Sequence, residues 1–278
     1  MATVVFIHAH PDDEAILTGG TMAKMSSEGH RVVLVTATRG ELGELPVGGL
    51  SAGETLTDRR GTELDEACRI LGVARQVYLG YLDSGMAGEP SNDRPDSFAS
   101  ADVDEAAQAL AAILDEEGAD VVVTYDEHGG YGHPDHIQVH RVSMAAVDRA
   151  GTPVVYIATM NRDFMSTLAE RLAEVASESG WSPPDGTTDG LDTMGEPASR
   201  ITTDVDVSAW VGLKREAMRA HGSQITEDSF FLSMPDEVSA VVWGHEWFIR
   251  VRPPLAPAAD GAVERSLSVV SGAPAGAV

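Results

Sequence analysis

The chain has 278 residues, one cysteine and a formal charge of −25, set by 44 acidic against 19 basic residues. That balance leaves no cluster of Lys and Arg able to displace counterions from a phosphate backbone, so no nucleic-acid partner is expected. A lone Cys68 excludes an intrachain disulfide, no apolar run approaches the roughly 20 residues of a membrane span, and no charged-then-apolar leader opens the chain, so no membrane association and a soluble, cytoplasmic protein are expected.

Taken in order, the β-branched run Thr3 to Ile7 reads as a buried parallel strand, followed by a helix over 14–28 and a second strand over 31–36. A helix over 57–71 places Leu64, Ala67, Cys68 and Leu71 on one apolar face, which assigns Cys68 to the core rather than to nucleophilic work. A strand over 76–79 precedes the clearest helix, 103–116, in which Val103, Ala106, Ala107, Leu110 and Leu114 recur at helical spacing. A strand over 120–125, a helix over 135–148 and a strand over 153–157 complete an alternation that predicts a mostly parallel sheet covered on both faces. The expected fold is a Rossmann-like three-layer α/β/α sandwich, without a dinucleotide fingerprint at its first turn. Two long loops, 39–55 and 82–100, follow strands at the presumed active edge and read as substrate walls.

Beyond residue 160 the pattern loosens. A helix is expected over 163–177, a polar surface loop over 182–199, a helix over 207–220 and a strand over 243–251. The division expected is a catalytic core over 1–160, a smaller extension over 161–252 completing the same domain, and a loosely ordered tail over 253–278.

Two motifs carry the chemistry. His8-Ala9-His10-Pro11-Asp12-Asp13-Glu14 follows the first strand directly, and Asp126-Glu127-His128-Gly129-Gly130-Tyr131-Gly132-His133-Pro134-Asp135-His136 follows the strand over 120–125. In a parallel sheet all strand C-termini share one edge, where open α/β sheets bind ligands, so the motifs can meet although more than a hundred residues separate them. Catalytic zinc keeps three protein ligands and one open position, and lowers the pKa of a bound water from 15.7 towards roughly 7. His10 and Asp13 from the first motif and His136 from the second supply such a set, for one zinc ion per chain. Asp12, beside a ligand yet not needed as one, is the candidate base. His133 is left to stabilise an oxyanion or protonate a leaving amine, with Asp135 to orient it.

These residues resemble the PIG-L or LmbE-like de-N-acetylases, zinc hydrolases acting on N-acetylglucosaminyl groups. The family's AHPDDE motif stands here as Ala9 to Glu14 and its HPDH motif as His133 to His136, and the likeness recurs in Arg219-Ala220-His221-Gly222-Ser223-Gln224. The resemblance implies zinc ligation by His10, Asp13 and His136, Asp12 as general base, His133 assisting at the oxyanion or leaving group, and Tyr131 as a mobile aromatic near the carbonyl. Within the family the stretches Asp83 to Gly88, Thr124 to Asp126 and Gly129 to His136 are most similar to the actinobacterial mycothiol-pathway deacetylase and mycothiol conjugate amidase. That likeness implies substrate contacts at Arg60 and Asp83, and a small-molecule glycoside or thiol-conjugate substrate with an N-acyl, expectedly N-acetyl, amide. The chain departs from the pattern at Ala15, Ile16 and Leu17, where the amidase carries a lysine, at His128, where Asn is usual, and over its C-terminal third. A deacetylase of natural-product biosynthesis fits as well.

Several residues have plainer readings. His8 is read as a hydrogen-bonded structural residue, His140 as support behind the ligands or a core residue, Glu14 as support for the helix start or a ligand, and His221 as either a contribution to the pocket from a distant segment or none. Two rival functions stay open: a metal- or sugar-binding protein without turnover, against which the intact Asp12 argues, and a two-metal phosphoesterase, in which a second ion would compete for Asp12.

Overall fold

The computed structural model describes residues 1–45, 49–179, 181, 194–256 and 262–269. The first strand, β1 (Thr3–His8), is followed by α1 (Asp13–Leu17), α2 (Gly19–Ser27), β2 (Arg31–Thr36), α3 (Leu56–Leu71) and β3 (Arg75–Tyr78). The chain then forms α4 (Val103–Glu117), β4 (Val121–Tyr125), α5 (Gly129–Gly132), α6 (Pro134–Ala150) and β5 (Val154–Thr159). The remainder comprises α7 (Arg162–Ser179), β6 (Thr203–Asp206), α8 (Val211–Ala220), α9 (Phe230–Ser233), α10 (Asp236–Trp243) and β7 (His245–Arg252).

These strands form one sheet of order β3-β2-β1-β4-β5-β7-β6, in which β1 to β5 are parallel and β7 and β6 are added antiparallel. Side chains alternate across it. Val4, Phe6, Val32 and Leu34 pack with Met22, Leu64, Ala67 and Met218 on one face, whereas Val5, Ile7, Val33 and Val35 pack with Ala106, Leu110 and Val142 on the other. The α/β/α sandwich expected from the alternation is present. The chain leaves β1 towards β2 and β3, then returns to place β4 on the other side of β1, so the switch of direction lies between the C-terminal ends of β1 and β4. A crevice forms there, and both motifs open into it.

The helix expected over 14–28 is two helices, because the chain breaks at Thr18 (φ −133°). The sequence reading missed β6, a four-residue strand too short to show alternation, and α10. The segment after residue 160 is tied to the sheet by more than β6 and β7. Glu246 on β7 accepts from the backbone N–H groups of Gly20 (2.9 Å) and Thr21 (2.8 Å) at the start of α2, and from Lys214 Nζ on α8 (2.6 Å). A buried carboxylate there satisfies free N–H groups at the positive end of the helix.

Most of the loop expected over 182–199 lies outside the described residues, as do 257–261 and 270–278 of the tail. Within the stretch expected as a tail, residues 262–269 are held against the sheet. Glu264 accepts from Tyr156 Oη (3.1 Å), Thr203 Oγ1 (2.9 Å) and Arg250 Nη1 (2.8 Å), and Leu267 is buried. A single acidic side chain that matches three donors on the sheet holds a segment whose composition gives no sign of it.

Candidate metal centre and active site

The site is assembled from two strand ends. His10 leaves β1 and Asp13 begins α1, and the Asp13 carboxylate folds back so that Oδ2 accepts the His10 backbone N–H at 2.9 Å. From the other side, Pro134 opens α6 with its fixed φ and no N–H to waste, which sets His136 in the first turn. Asp13 Oδ2 ends 3.3 Å from His10 Nδ1 and 3.3 Å from His136 Nε2. Gly129 (φ 64°) lets the loop press onto His136, since a Cβ there would lie 2.7 Å from the His136 Cβ. The two expected imidazole ligands and the expected carboxylate ligand are thus brought together.

The donors fit a divalent ion. His10, His133 and His136 bring ring nitrogens within 4.8 Å of one another, and His136 Nε2 is buried without a hydrogen-bond partner. An unsatisfied buried nitrogen facing a carboxylate and a second imidazole is what a tetrahedral N/O site lacks only its ion to explain. His10 is oriented through its other nitrogen, because Nε2 lies 3.1 Å from Asp135 Oδ2 and 3.6 Å from Asp83 Oδ1. Carboxylates behind a ligating imidazole fix the ring and its tautomer. Burial disfavours a charged His10, yet Asp13, Asp135 and Asp83 outweigh burial and raise its pKa well above the ordinary value. The surrounding carboxylates therefore favour positive charge at this place.

Asp135 is itself pinned, with Ser84 Oγ donating to Oδ1 and the Ser84 backbone N–H to Oδ2 (3.0 Å). It reaches His133 not through its carboxylate but through its backbone: the Asp135 N–H donates to His133 Nδ1 at 3.1 Å, with His133 capping α6. A ring nitrogen that accepts there carries no proton, so a neutral His133 holds its proton on Nε2. Burial, followed by the neighbouring His10 and His136, pushes the His133 pKa down to about 4.

Asp12 has φ 114° and ψ −33°, the one positive-φ non-glycine among the described residues. Such a backbone costs on the order of 1–3 kcal/mol and persists only where the surroundings over-determine it. Burial raises the Asp12 pKa to about 6, with the Arg60 guanidinium working against the rise. Arg60 is buried on α3; Nη2 donates to Pro11 O (2.5 Å) and Asp12 Oδ2 (3.2 Å), and Nη1 donates to Gly40 O (2.8 Å). Asp83 accepts from the backbone N–H groups of Gly85 (2.8 Å) and Leu42 (3.2 Å).

A cavity of about 260 Å³ runs from these groups to the surface, lined by His10, Asp12, Asp13, Arg60, Asp83 and His133 at its base and by Leu42, Met86, Tyr131 and Gln224 further out. Leu42 and Met86 come from the two long loops picked out in the sequence, Tyr131 from α5 and Gln224 from the turn after α8. Tyr131 is half exposed and meets His136 edge to face at 5.1 Å. Burial and the carboxylates around it push its phenol pKa up, so the hydroxyl keeps its proton.

Other histidines are settled by their partners. His8 lies 3.0 Å from Tyr125 Oη and 2.8 Å from Thr18 Oγ1, and burial lowers its pKa to about 4, which is the structural reading. His140 Nδ1 donates to Tyr125 O at 2.9 Å, and His128 is exposed beside Glu127. Sequence reasoning missed Tyr125, whose ring stacks on His136, and Ser84 behind Asp135. Tyr125 ends a strand of buried β-branched residues, and that break in residue type at a strand terminus was the available signal.

The PIG-L family, described as GlcNAc-PI de-N-acetylase, matches residues 5–147, the segment that carries both motifs. The chain belongs to this family. A relative from Nocardiopsis dassonvillei, named 1D-myo-inositol 2-acetamido-2-deoxy-alpha-D-glucopyranoside deacetylase, is 40% identical over 95% of this chain and 99% of its own. A second, from Acidothermus cellulolyticus and of the same name, is 40% identical over 93% of this chain and 92% of its own. Among solved structures, the N,N'-diacetylchitobiose deacetylase of Pyrococcus horikoshii superposes with a TM-score of 0.57 at 20% identity, covering 93% of this chain and 88% of that one. Among the described residues of this PIG-L member, no helix is long and apolar enough to cross a membrane.

Proposed function

We propose that this protein is a zinc-dependent de-N-acetylase that hydrolyses the acetamide of an N-acetylglucosamine-containing small molecule, with an inositol glycoside of the kind named for its relatives as the first substrate to try. The observation that carries the reading is Asp13 Oδ2 at 3.3 Å from both His10 Nδ1 and His136 Nε2, with the latter nitrogen buried and making no hydrogen bond. His10, Asp13 and His136 would hold one ion per chain. When bound, such an ion polarises the acyl carbonyl and makes water a nucleophile at neutral pH.

The rest is done by the chain. Asp12, with a pKa near 6, is ionised at neutral pH and accepts the proton of the attacking water. The proton it gains can then pass to the departing nitrogen. His133, neutral and protonated on Nε2, donates to the oxygen on which negative charge develops, and the Tyr131 hydroxyl is a second donor at the same cavity wall. The family resemblance assigns Arg60 and Asp83 to sugar or cyclitol hydroxyls; in this proposal Asp83 keeps that role, whereas the bonds of Arg60 to Gly40 O, Pro11 O and Asp12 Oδ2 favour a hold on the Pro11–Asp12 peptide. A cytoplasmic location and a single catalytic domain with the extension over 161–252 built into it belong to the same proposal, the latter supported by β6 and β7 in the common sheet.

The test is acetate release from 1D-myo-inositol 2-acetamido-2-deoxy-α-D-glucopyranoside by protein loaded with one equivalent of zinc. Stoichiometric acetate and free amine are expected. Activity that needs two ions per chain, or no acetate from this or any N-acetylglucosaminide, overturns the proposal.

A further inference from the structure

The strained peptide before the candidate base is gripped at both ends. The C=O of Pro11 accepts from Arg60 Nη2 at 2.5 Å, and the N–H of Asp12, on the same peptide unit, donates to Glu14 Oε2 at 3.0 Å. Glu14 is fully buried, so its second oxygen must also be satisfied. His221 supplies that bond: its Nε2 donates to Glu14 Oε1 at 2.6 Å from 207 residues further along the chain.

His221 is fully buried and is not among the residues that line the cavity. Its backbone is fixed at the end of α8, where its carbonyl accepts from Gln224 N (2.9 Å) and Ile225 N (2.8 Å). The same turn is anchored to α3, since Ser223 donates from its backbone N to Glu63 Oε1 (2.9 Å) and from Oγ to Glu63 Oε2 (2.6 Å). Arg60 and Glu63 lie one helical turn apart on α3, so they face the same way. The contacts therefore close a ring: Arg60, the Pro11–Asp12 peptide, Glu14, His221, Ser223, Glu63 and back through α3 to Arg60.

A ring of this kind explains how Asp12 is kept at φ 114°. If released, the peptide would relax towards an ordinary conformation and swing the carboxylate away from the water it must deprotonate. We infer that His221 is a positioning residue that acts through Glu14 to hold the Asp12 backbone, and with it the base, in register with the metal site. The inference rests on the proposed role of Asp12. It also gives the extension after residue 160 a part in catalysis without contact with substrate.

Two substitutions of similar polarity separate this role from bulk support. In His221→Gln the side-chain amide reaches the position of Nε2 and still donates to Glu14, whereas in His221→Asn it reaches only the position of Nδ1. The full-length zinc-loaded variants are compared by the backbone ¹H–¹⁵N resonance of Asp12, by kcat and KM, and by bound zinc. The Asn variant is expected to shift the Asp12 resonance and lower kcat on the order of 10–100-fold, with KM and zinc content unchanged. The Gln variant is expected to keep the native resonance and a kcat within about threefold of wild type. In an Asp12→Asn background the His221→Asn change should lower the residual kcat by less than about twofold, because the group it positions is gone.

Equal behaviour of the Gln and Asn variants, an unmoved Asp12 resonance in the Asn variant, or a full additional loss in the Asp12→Asn background overturns the inference. Should the wild-type protein release no acetate, the functional proposal fails, and the Asp12 resonance still decides whether His221 holds this peptide.

Discussion

Tyr125 stacks on His136 with ring centroids 4.4 Å apart and planes 19° from parallel, so the last residue of β4 sets the orientation of the proposed metal ligand on α6. The Tyr125 hydroxyl lies 3.0 Å from His8 Nδ1, which holds the ring in place from behind. Groups that orient a ligating imidazole are worth on the order of 10–100-fold in metal affinity. Tyr125→Leu removes the flat face and should weaken zinc binding by about that factor, whereas Tyr125→Phe keeps the face and should stay within a few fold. Competition with a chromogenic chelator measures both. Equal affinities for the Leu variant and wild type would show that His136 needs no such support.

His136→Ala should strip the metal and leave the sheet folded, because its side chain meets the site rather than either apolar layer. Zinc at 100 times its dissociation constant stabilises the folded state by about 2.7 kcal/mol, or roughly 5–10 °C in Tm for a domain of this size. Chelation should lower the wild-type Tm by that amount and leave the Tm of the variant unmoved. Differential scanning calorimetry with and without chelator reads the difference, and a variant that still gains Tm from zinc would remove His136 from the ligand set.

Much of the layout was legible because it is local. Continuous β-branched runs located β1, β2 and β4, and a 3.6-residue period located α4, to within a residue or two, and the parallel-sheet rule brings His10 and His136 to one edge. What stayed hidden depends on pairs remote in sequence. Asp135 looked like a partner for the His133 ring, but its carboxylate is taken by His10 and Ser84 and only its peptide N–H faces His133. Nothing in the spacing of residues 133–136 distinguishes those two arrangements. The Glu14–His221 pair and the Glu264 anchor were hidden for the same reason, since each joins segments whose proximity is a result of the fold.

Asp12→Asn is a clean test of the base. Asn tolerates positive φ better than most residues, so the variant can keep the backbone at φ 114° while losing the ability to accept a proton at neutral pH. The bound zinc should be unchanged and kcat should fall on the order of 10²–10⁴-fold. A variant within about threefold of wild type would assign the proton transfer to another group.

Arg60 decides between two readings that predict different kinetics. Family resemblance implies contact with sugar or cyclitol hydroxyls, and such contacts persist from ground state to transition state, so their loss acts through KM on the larger substrate alone. In the structure its guanidinium spans Gly40 O, Pro11 O and Asp12 Oδ2, three acceptors that a lysine ammonium cannot match in the same plane. Removing it leaves the buried Pro11 carbonyl unpaired, at about 1–3 kcal/mol, and releases one end of the peptide that carries the proposed base, whereas Gly40 O keeps its bond from Gly43 N (3.2 Å). Arg60→Ala and Arg60→Lys should therefore lower kcat on N-acetylglucosamine itself and on the inositol glycoside by similar factors, on the order of 10–100-fold, at a temperature where circular dichroism shows both variants folded. Metal content should hold, because His10, Asp13 and His136 are not among its partners. An unchanged kcat on the small substrate together with a raised KM on the large one would sink the positioning role and leave Arg60 as a contact for the distal part of the substrate.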